Sequence, residues 1–171
     1  MIEATAHDAR VADILSRFDE TSGRFLARLE RAGERGEQAA SGWTAAQIGA
    51  HVAMVNNSLA AVVDGSGPGA TPPAADFVER AWPDIVRNAP ARIEAPARLV
   101  PPASTSIGQA VADLRSSTEK LRAALASLTT ERSQLCFSHR IFGPMSLYQV
   151  GDFAIAHMVR HNQQAKRVLG E

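Results

Sequence analysis

Residues 146–168 read Ser146-Leu-Tyr-Gln149-Val150-Gly-Asp-Phe-Ala154-Ile-Ala-His157-Met-Val-Arg-His161-Asn-Gln-Gln164-Ala-Lys-Arg-Val168. Ser146 and Gln149 have the spacing of a capping box, in which a cap hydroxyl and an amide three residues later each satisfy a backbone N–H that the first helical turn leaves without a partner. From there Leu147, Val150, Ala154, His157, His161, Gln164 and Val168 step by three and four, the period of one helix face. Gly143-Pro144, just upstream, separates this helix from whatever precedes it. The stretch therefore predicts a long helix that buries one stripe, and two histidines and a glutamine stand on that stripe where the period asks for Leu or Val.

The same grammar repeats toward the amino terminus. Ser106 and Gln109 open a third helix carrying Ile107, Val111, Leu114, Thr118, Leu121, Leu125 and Leu128. Thr44 and Gln47 open a second, with Trp43 and Ile48 at the two positions of a hydrophobic staple, and its stripe runs through Val52, Val55, Leu59 and Val62 to Gly65. A first helix is predicted from about Asp8 to Ala32, where Val11, Ile14, Leu15, Phe18, Ser22, Phe25 and Leu29 recur and Gly33 is placed to end it. Eight of the nine prolines lie from Pro68 to Pro102, so no long regular element runs through residues 64–103. A short helix around Ala74 to Val86, limited by Pro83, is the most that segment predicts, and Leu135 to Phe142 reads as extended. Four amphipathic helices with one long connection specify an all-α four-helix bundle with a crossover between helices two and three. The shorter connections predict that helices one and two, and likewise three and four, are antiparallel neighbours.

Composition narrows the function. The chain has 171 residues, a length suited to one domain spanning 1–171, and 18 basic side chains balance 18 acidic ones. Such neutrality lacks the positive surface that neutralises phosphates, so no nucleic-acid partner is expected, and no polybasic run or long apolar stretch predicts a membrane partner. A soluble, cytoplasmic protein is the expectation. A lone Cys136 excludes an internal disulfide and agrees with a reducing compartment.

The chemistry sits on the apolar stripes. His157 and His161 are four residues apart, which stacks them on one helix face with Cβ atoms about 6 Å from each other, close enough for two imidazoles to share one ion. His51 falls at the edge of the stripe of helix two. A single inward histidine is more often a core residue with one hydrogen bond to a carbonyl. Here, however, no Asp or Glu lies between Phe153 and Gly170 to pair the helix-four imidazoles, and burying unpaired polar groups costs about 1 to 3 kcal/mol each. Spacing alone leaves the core histidine and the metal ligand both standing. His7 and His139 read as solvated or loop residues.

These residues carry a resemblance. His139-Arg-Ile-Phe-Gly143-Pro-Met-Ser146, followed by Ala156-His157-Met-Val-Arg-His161-Asn-Gln-Gln164, together with Trp43-Thr44-Ala-Ala-Gln-Ile-Gly-Ala-His51, resembles the DinB-like family of bacterial four-helix-bundle proteins. The likeness is close over helices two and four and otherwise one of layout. It implies that His51, His157 and His161 match the family's three ligands for a divalent ion such as zinc or nickel, and that Gln164 matches the glutamine of its motif. Members characterised as enzymes include thiol-dependent transferases and isomerases that use a low-molecular-weight thiol such as mycothiol or bacillithiol, while many others have no known activity.

Three neutral imidazoles leave a fourth position on an ion for water or a thiolate, as catalytic sites do. No Glu follows either helix-four histidine as in His-Glu-x-x-His proteases, so no general base is assignable. Asn56, Asn57, Tyr148, Asp152, Arg160 and Cys136 are candidate pocket residues, each also readable as a surface, cap or packing residue. Gln164 is expected to hydrogen-bond a ligand imidazole or the bound species. Two classes follow. One is a metal-dependent enzyme that transfers a thiol to a small-molecule substrate or hydrolyses one. The other is a non-catalytic bundle that binds a metal or small ligand, with a homodimer as its possible form.

Overall fold

The structure is a computed structural model that describes residues 2–87 and 93–171, with side chains from residue 6 onward. Its long elements are α1 (Ile2–Ala32), α2 (Ala45–Asp64), α4 (Ile107–Ala126) and α6 (Leu147–Val168), and the minor ones are α3 (Trp82–Arg87) and α5 (Thr130–Ser133). Three short strands, β1 (Ala70–Thr71), β2 (Cys136–His139) and β3 (Gly143–Ser146), form one small antiparallel sheet in that order. The protein is thus mostly helical, as the periodicity requires. Phe18, Phe25 and Leu29 of α1, Ile48 and Val52 of α2, Leu114, Leu121 and Leu125 of α4, and Leu147 and Met158 of α6 form its fully buried interior.

The helix starts follow the capping chemistry. Thr44 and Ser146 each accept the N–H three residues on, while the Gln47 and Gln149 side chains reach back to the cap N–H, so both boxes are complete. At Ser106 only half forms: its hydroxyl accepts the Gln109 N–H, but the Gln109 amide donates to Asp113 instead. Gly65 ends α2 in the left-handed region at φ 82°, and Arg132 donates to the last α2 carbonyls, Val62 and Val63. α1 begins at Ile2, earlier than the stripe predicts, because the side chain that anchors this end is polar. His7 contacts the Leu128 carbonyl at 2.8 Å and the Tyr148 hydroxyl at 2.5 Å.

The helix pairing differs from the expectation. α1 packs along α6 and α4, α2 packs along α4 and α6, and α1 touches α2 only marginally. The chain-adjacent pairs therefore sit on diagonals, because residues 33–44 and 127–146 are long enough to cross the end of the bundle. Directions follow from the contacts. Arg17 pairs with Asp152 and Arg28 with Glu171, so α1 and α6 are parallel. Arg122 pairs with Asp19 and Arg115 with Glu30, so α4 is antiparallel to α1. Gly49 abuts Ala110, and Arg132 reaches the end of α2, so α2 and α4 are parallel. Two glycines permit the close approaches: a Cβ on Gly49 would lie 2.6 Å from Leu29 Cδ1, and one on Gly151 2.7 Å from Ile14 Cγ2.

The crossover spans residues 65–106, of which 88–92 lie outside the described residues. Its helix is Trp82–Arg87 rather than one around Ala74 to Val86, and Pro83 does not limit it but sits in its first turn, where a missing N–H breaks no helical bond. The extended reading of Leu135 to Phe142 corresponds to β2 and the turn into β3, closed by Gly143 at φ 74°.

Two outcomes test this architecture. Ser146→Ala, at a buried cap with both arms of its box formed, lowers unfolding free energy by about 1 to 2 kcal/mol in urea titrations, whereas Ser106→Ala, at a half-formed box, costs about 0.5. Limited proteolysis cuts within residues 65–106 before any site in α6.

Candidate metal centre

Two helices bring three histidines together. The Thr44 box fixes the start of α2 and so places His51 two turns in, where it is buried at 4% exposure rather than at the edge of the stripe. α6, antiparallel to α2, brings His157 and His161 against it. The ring centroids lie 5.2 Å apart for His51 and His157, 4.8 Å for His51 and His161, and 4.4 Å for His157 and His161. One ring nitrogen from each lies within 4.8 Å of the other two.

Hydrogen bonds at the outer edges orient two of the rings. His51 Nδ1 is 2.8 Å from the Leu99 carbonyl, a pure acceptor, so Nδ1 carries the proton and Nε2 turns its lone pair inward. His161 Nδ1 is 2.9 Å from Gln164 Oε1, which fixes the same tautomer. The expected partnership of Gln164 with a histidine ring is thus present in the geometry. His51 Nε2 and His157 Nε2 are 3.2 Å apart, while His157 Nδ1 is buried without a partner among the described residues. Trp43 packs beside His51 at 5.0 Å and Phe153 beside His157 at 5.7 Å.

The electrostatics are one-sided. Burial lowers the pKa of all three histidines: His51 below its ordinary value, His157 well below it, and His161 to about 4. His51 and Arg160 add to the effect on both α6 histidines, and no acidic side chain among the described residues opposes it. All three rings are therefore neutral at pH 7, the form that ligates metals. The core-histidine reading accounts for His51 on the Leu99 carbonyl. It does not account for two inward lone pairs packed against a third imidazole whose Nδ1 is orphaned among the described residues, at about 1 to 3 kcal/mol. The residues fit a shared cation, since bonds of about 2.0 to 2.1 Å to a tetrahedral ion set neighbouring nitrogens about 3.3 Å apart.

The other candidates lie elsewhere. Tyr148 is held by His7 in the first turn of α6, beneath the guanidinium of Arg10, so His7 is a packing residue and not a solvated one. Asp152 pairs with Arg17. Asn57 is exposed in a groove of about 660 Å³ between α2 and α4, and Asn56 is fully buried with both amide atoms unpartnered among the described residues. Cys136 is buried in β2, and burial raises its pKa, which disfavours the thiolate. Of these candidates only Arg160 acts on the triad, through its charge. Sequence reasoning missed the Leu99 carbonyl, which no side chain signals, and the neighbourhood of His139. That residue is not a solvated loop histidine: it ends β2, stacked on Phe142 and tilted against Phe153, each at 4.9 Å.

The lowered pKa values set a pH dependence. A histidine neutral in the fold but ordinary when unfolded leaves the unfolded chain holding more protons between the two pKa values, so stability falls as pH drops through that window. For His161, from 6.5 to about 4, the loss is on the order of 3 kcal/mol. Chelator-treated protein therefore unfolds at lower urea at pH 5 than at pH 7, and His161→Gln reduces that difference. Equal midpoints at the two pH values would contradict the buried neutral state.

The model of the DinB superfamily matches residues 17–165, a span that takes in His51, His157, His161 and Gln164. Comparison with curated proteins and with solved structures gives no match. Matched over most of its length, with a mostly helical fold and three converging histidines, the chain belongs to the DinB superfamily.

Proposed function

We propose that this protein is a metal-dependent enzyme in which His51, His157 and His161 hold a divalent ion, zinc or nickel, and that it activates a low-molecular-weight thiol for transfer to a small-molecule electrophile. The observation that carries this reading is the convergence of three histidine nitrogens within 4.8 Å from two helices, with no carboxylate in the cluster. When bound, the ion supplies Lewis acidity that lowers the pKa of a thiol or water beside it. The chain's own residues do the positioning. The Leu99 carbonyl and Gln164 hold two rings with their lone pairs inward, and Trp43 and Phe153 pack against His51 and His157 and limit water.

The absence of an acidic neighbour favours a thiol over water. A thiol has a pKa near 8.5 and needs only a modest shift to ionise at neutral pH, so its proton leaves to solvent without a base. Hydrolysis asks more, because a water must be deprotonated and the leaving group protonated, and no side chain in the triad does either. A metal-dependent hydrolase is the second reading, and a non-catalytic metal- or ligand-binding bundle the third.

The test compares protein loaded with metal against chelated protein. Free metal at 100 times Kd raises native stability by about 2.7 kcal/mol. His51→Ala, His157→Ala and His161→Ala each abolish that gain together with thiol consumption in a panel of electrophiles. Gln164→Ala keeps the metal but weakens affinity or rate about 10- to 100-fold, as loss of a residue that orients a ligand does elsewhere. Identical melting with and without chelator, and no copurifying metal, would return the cluster to packed core histidines. Metal-loaded protein with thiol loss no faster than the uncatalysed rate would leave the hydrolase or the binding bundle.

A further inference from the structure

The ring of His139 is fixed as firmly as those of the triad, by a different device. Its Nδ1 accepts the backbone N–H groups of Ile141 and Phe142, at 3.1 and 3.4 Å, and so closes the turn between β2 and β3. An acceptor at Nδ1 places the proton on Nε2. The ring packs against Phe142, nearly parallel at 27°, and against Phe153, tilted at 47°, both with centroids 4.9 Å away. Phe153 stands one helical turn before His157 on α6 and packs against it at 5.7 Å. His139 is also near enough to His157 that charge on one disfavours charge on the other. The Nε2–H has no hydrogen-bond partner among the described residues and is not one of the buried unpartnered atoms. The turn thus leaves one donor unused on a ring that Phe153 links to the histidine cluster.

We propose that His139 positions an oxygen-bearing substrate, a carboxylate or carbonyl compound, by donating its Nε2–H to that oxygen beside the three histidines. The inference rests on reading the triad as a metal centre and adds to it a selectivity: His139 strengthens the binding of ligands that carry an acceptor oxygen and leaves that of ligands with sulfur alone unchanged. A hydrogen bond to a charged acceptor is worth about 10- to 100-fold in affinity. Neutral imidazole is the useful donor here, because the turn bonds at Nδ1 and the packing on Phe142 and Phe153 fix the ring in advance.

Two substitutions separate this role from closing the turn. In His139→Asn the amide oxygen takes the place of Nδ1 and accepts the Ile141 N–H as an Asx-turn, while the distal donor is lost. In His139→Gln the longer side chain carries its NH2 close to the position of Nε2, while the turn bond is lost. Cobalt(II)-loaded protein is titrated with acetate and, separately, with ethanethiol, following the visible absorption of the ion. Relative to wild type, His139→Asn binds acetate about 10- to 100-fold more weakly and ethanethiol equally well, and His139→Gln regains acetate affinity at a lower Tm. In zinc-loaded wild type, acetate also shifts the His139 Nε2–H resonance, a readout independent of any variant. An unchanged acetate affinity in His139→Asn together with an unmoved resonance would overturn the role of His139 and leave the metal centre standing. A wild type that takes up neither cobalt nor zinc would overturn both.

Discussion

Three neutral imidazoles share one water-poor space, and among the described residues no charge of opposite sign answers them. Everything else about the site follows from making that arrangement stable in the right tautomer. Burial alone keeps the rings neutral, as the depressed pKa of His161 shows. Burial alone does not decide which nitrogen faces inward. That is set by acceptors at the outer edges, the carbonyl of Leu99 and the amide oxygen of Gln164, so the two hydrogen bonds farthest from the centre determine what the centre can do.

The topology exists to serve that arrangement. His51 lies in the first half of α2, and the other two histidines lie at the middle of α6 and one turn beyond it, which the antiparallel packing of the two helices brings together. With α1 parallel to α6 and α2 parallel to α4, the chain must return over the length of the bundle between α2 and α4. The segment that makes this return, residues 65–106, is also the one that delivers Leu99 to His51. A direct hairpin between α2 and α4 would have made them antiparallel and removed the carbonyl that fixes the first ring. The crossover is therefore part of the site, although it contributes no ligand.

What the sequence revealed and what it concealed divide along the range of the interaction. Capping boxes and stripes are local, and the starts at Thr44, Ser106 and Ser146 together with the stripes through Leu114, Leu121 and Val150 are legible from spacing. The half-formed box at Ser106 shows the limit even there, because Asp113 competes for the same amide. Helix neighbours are not legible: a stripe says that a face is buried and not against what, so α1 and α2 read as a hairpin although they sit on a diagonal. His51, His157 and His161 stood out because each broke its stripe. Leu99 acts through its backbone and breaks no pattern, and His139 comes near His157 only through the pairing of β2 with β3 and the packing of that hairpin on α6.

The same division bears on the choice of substrate. A divalent ion held by three neutral ligands keeps its whole charge, where each carboxylate ligand would cancel one unit. Arg160 raises the local potential further, since its charge already disfavours protonation of His157 and His161. A site of that sign, partly shielded from water, stabilises an anion more than its neutral parent acid, because attraction grows as the effective dielectric falls. Thiolates and carboxylates gain most, the first by being ionised at neutral pH and the second by arriving so. The one acidic side chain of α6, Asp152, is paired with Arg17 of α1, and among the described residues none of the charges acting on the three histidines is acidic. A divalent ion in the triad would therefore meet no acidic side chain among the described residues, and the proposed centre would favour anionic ligands.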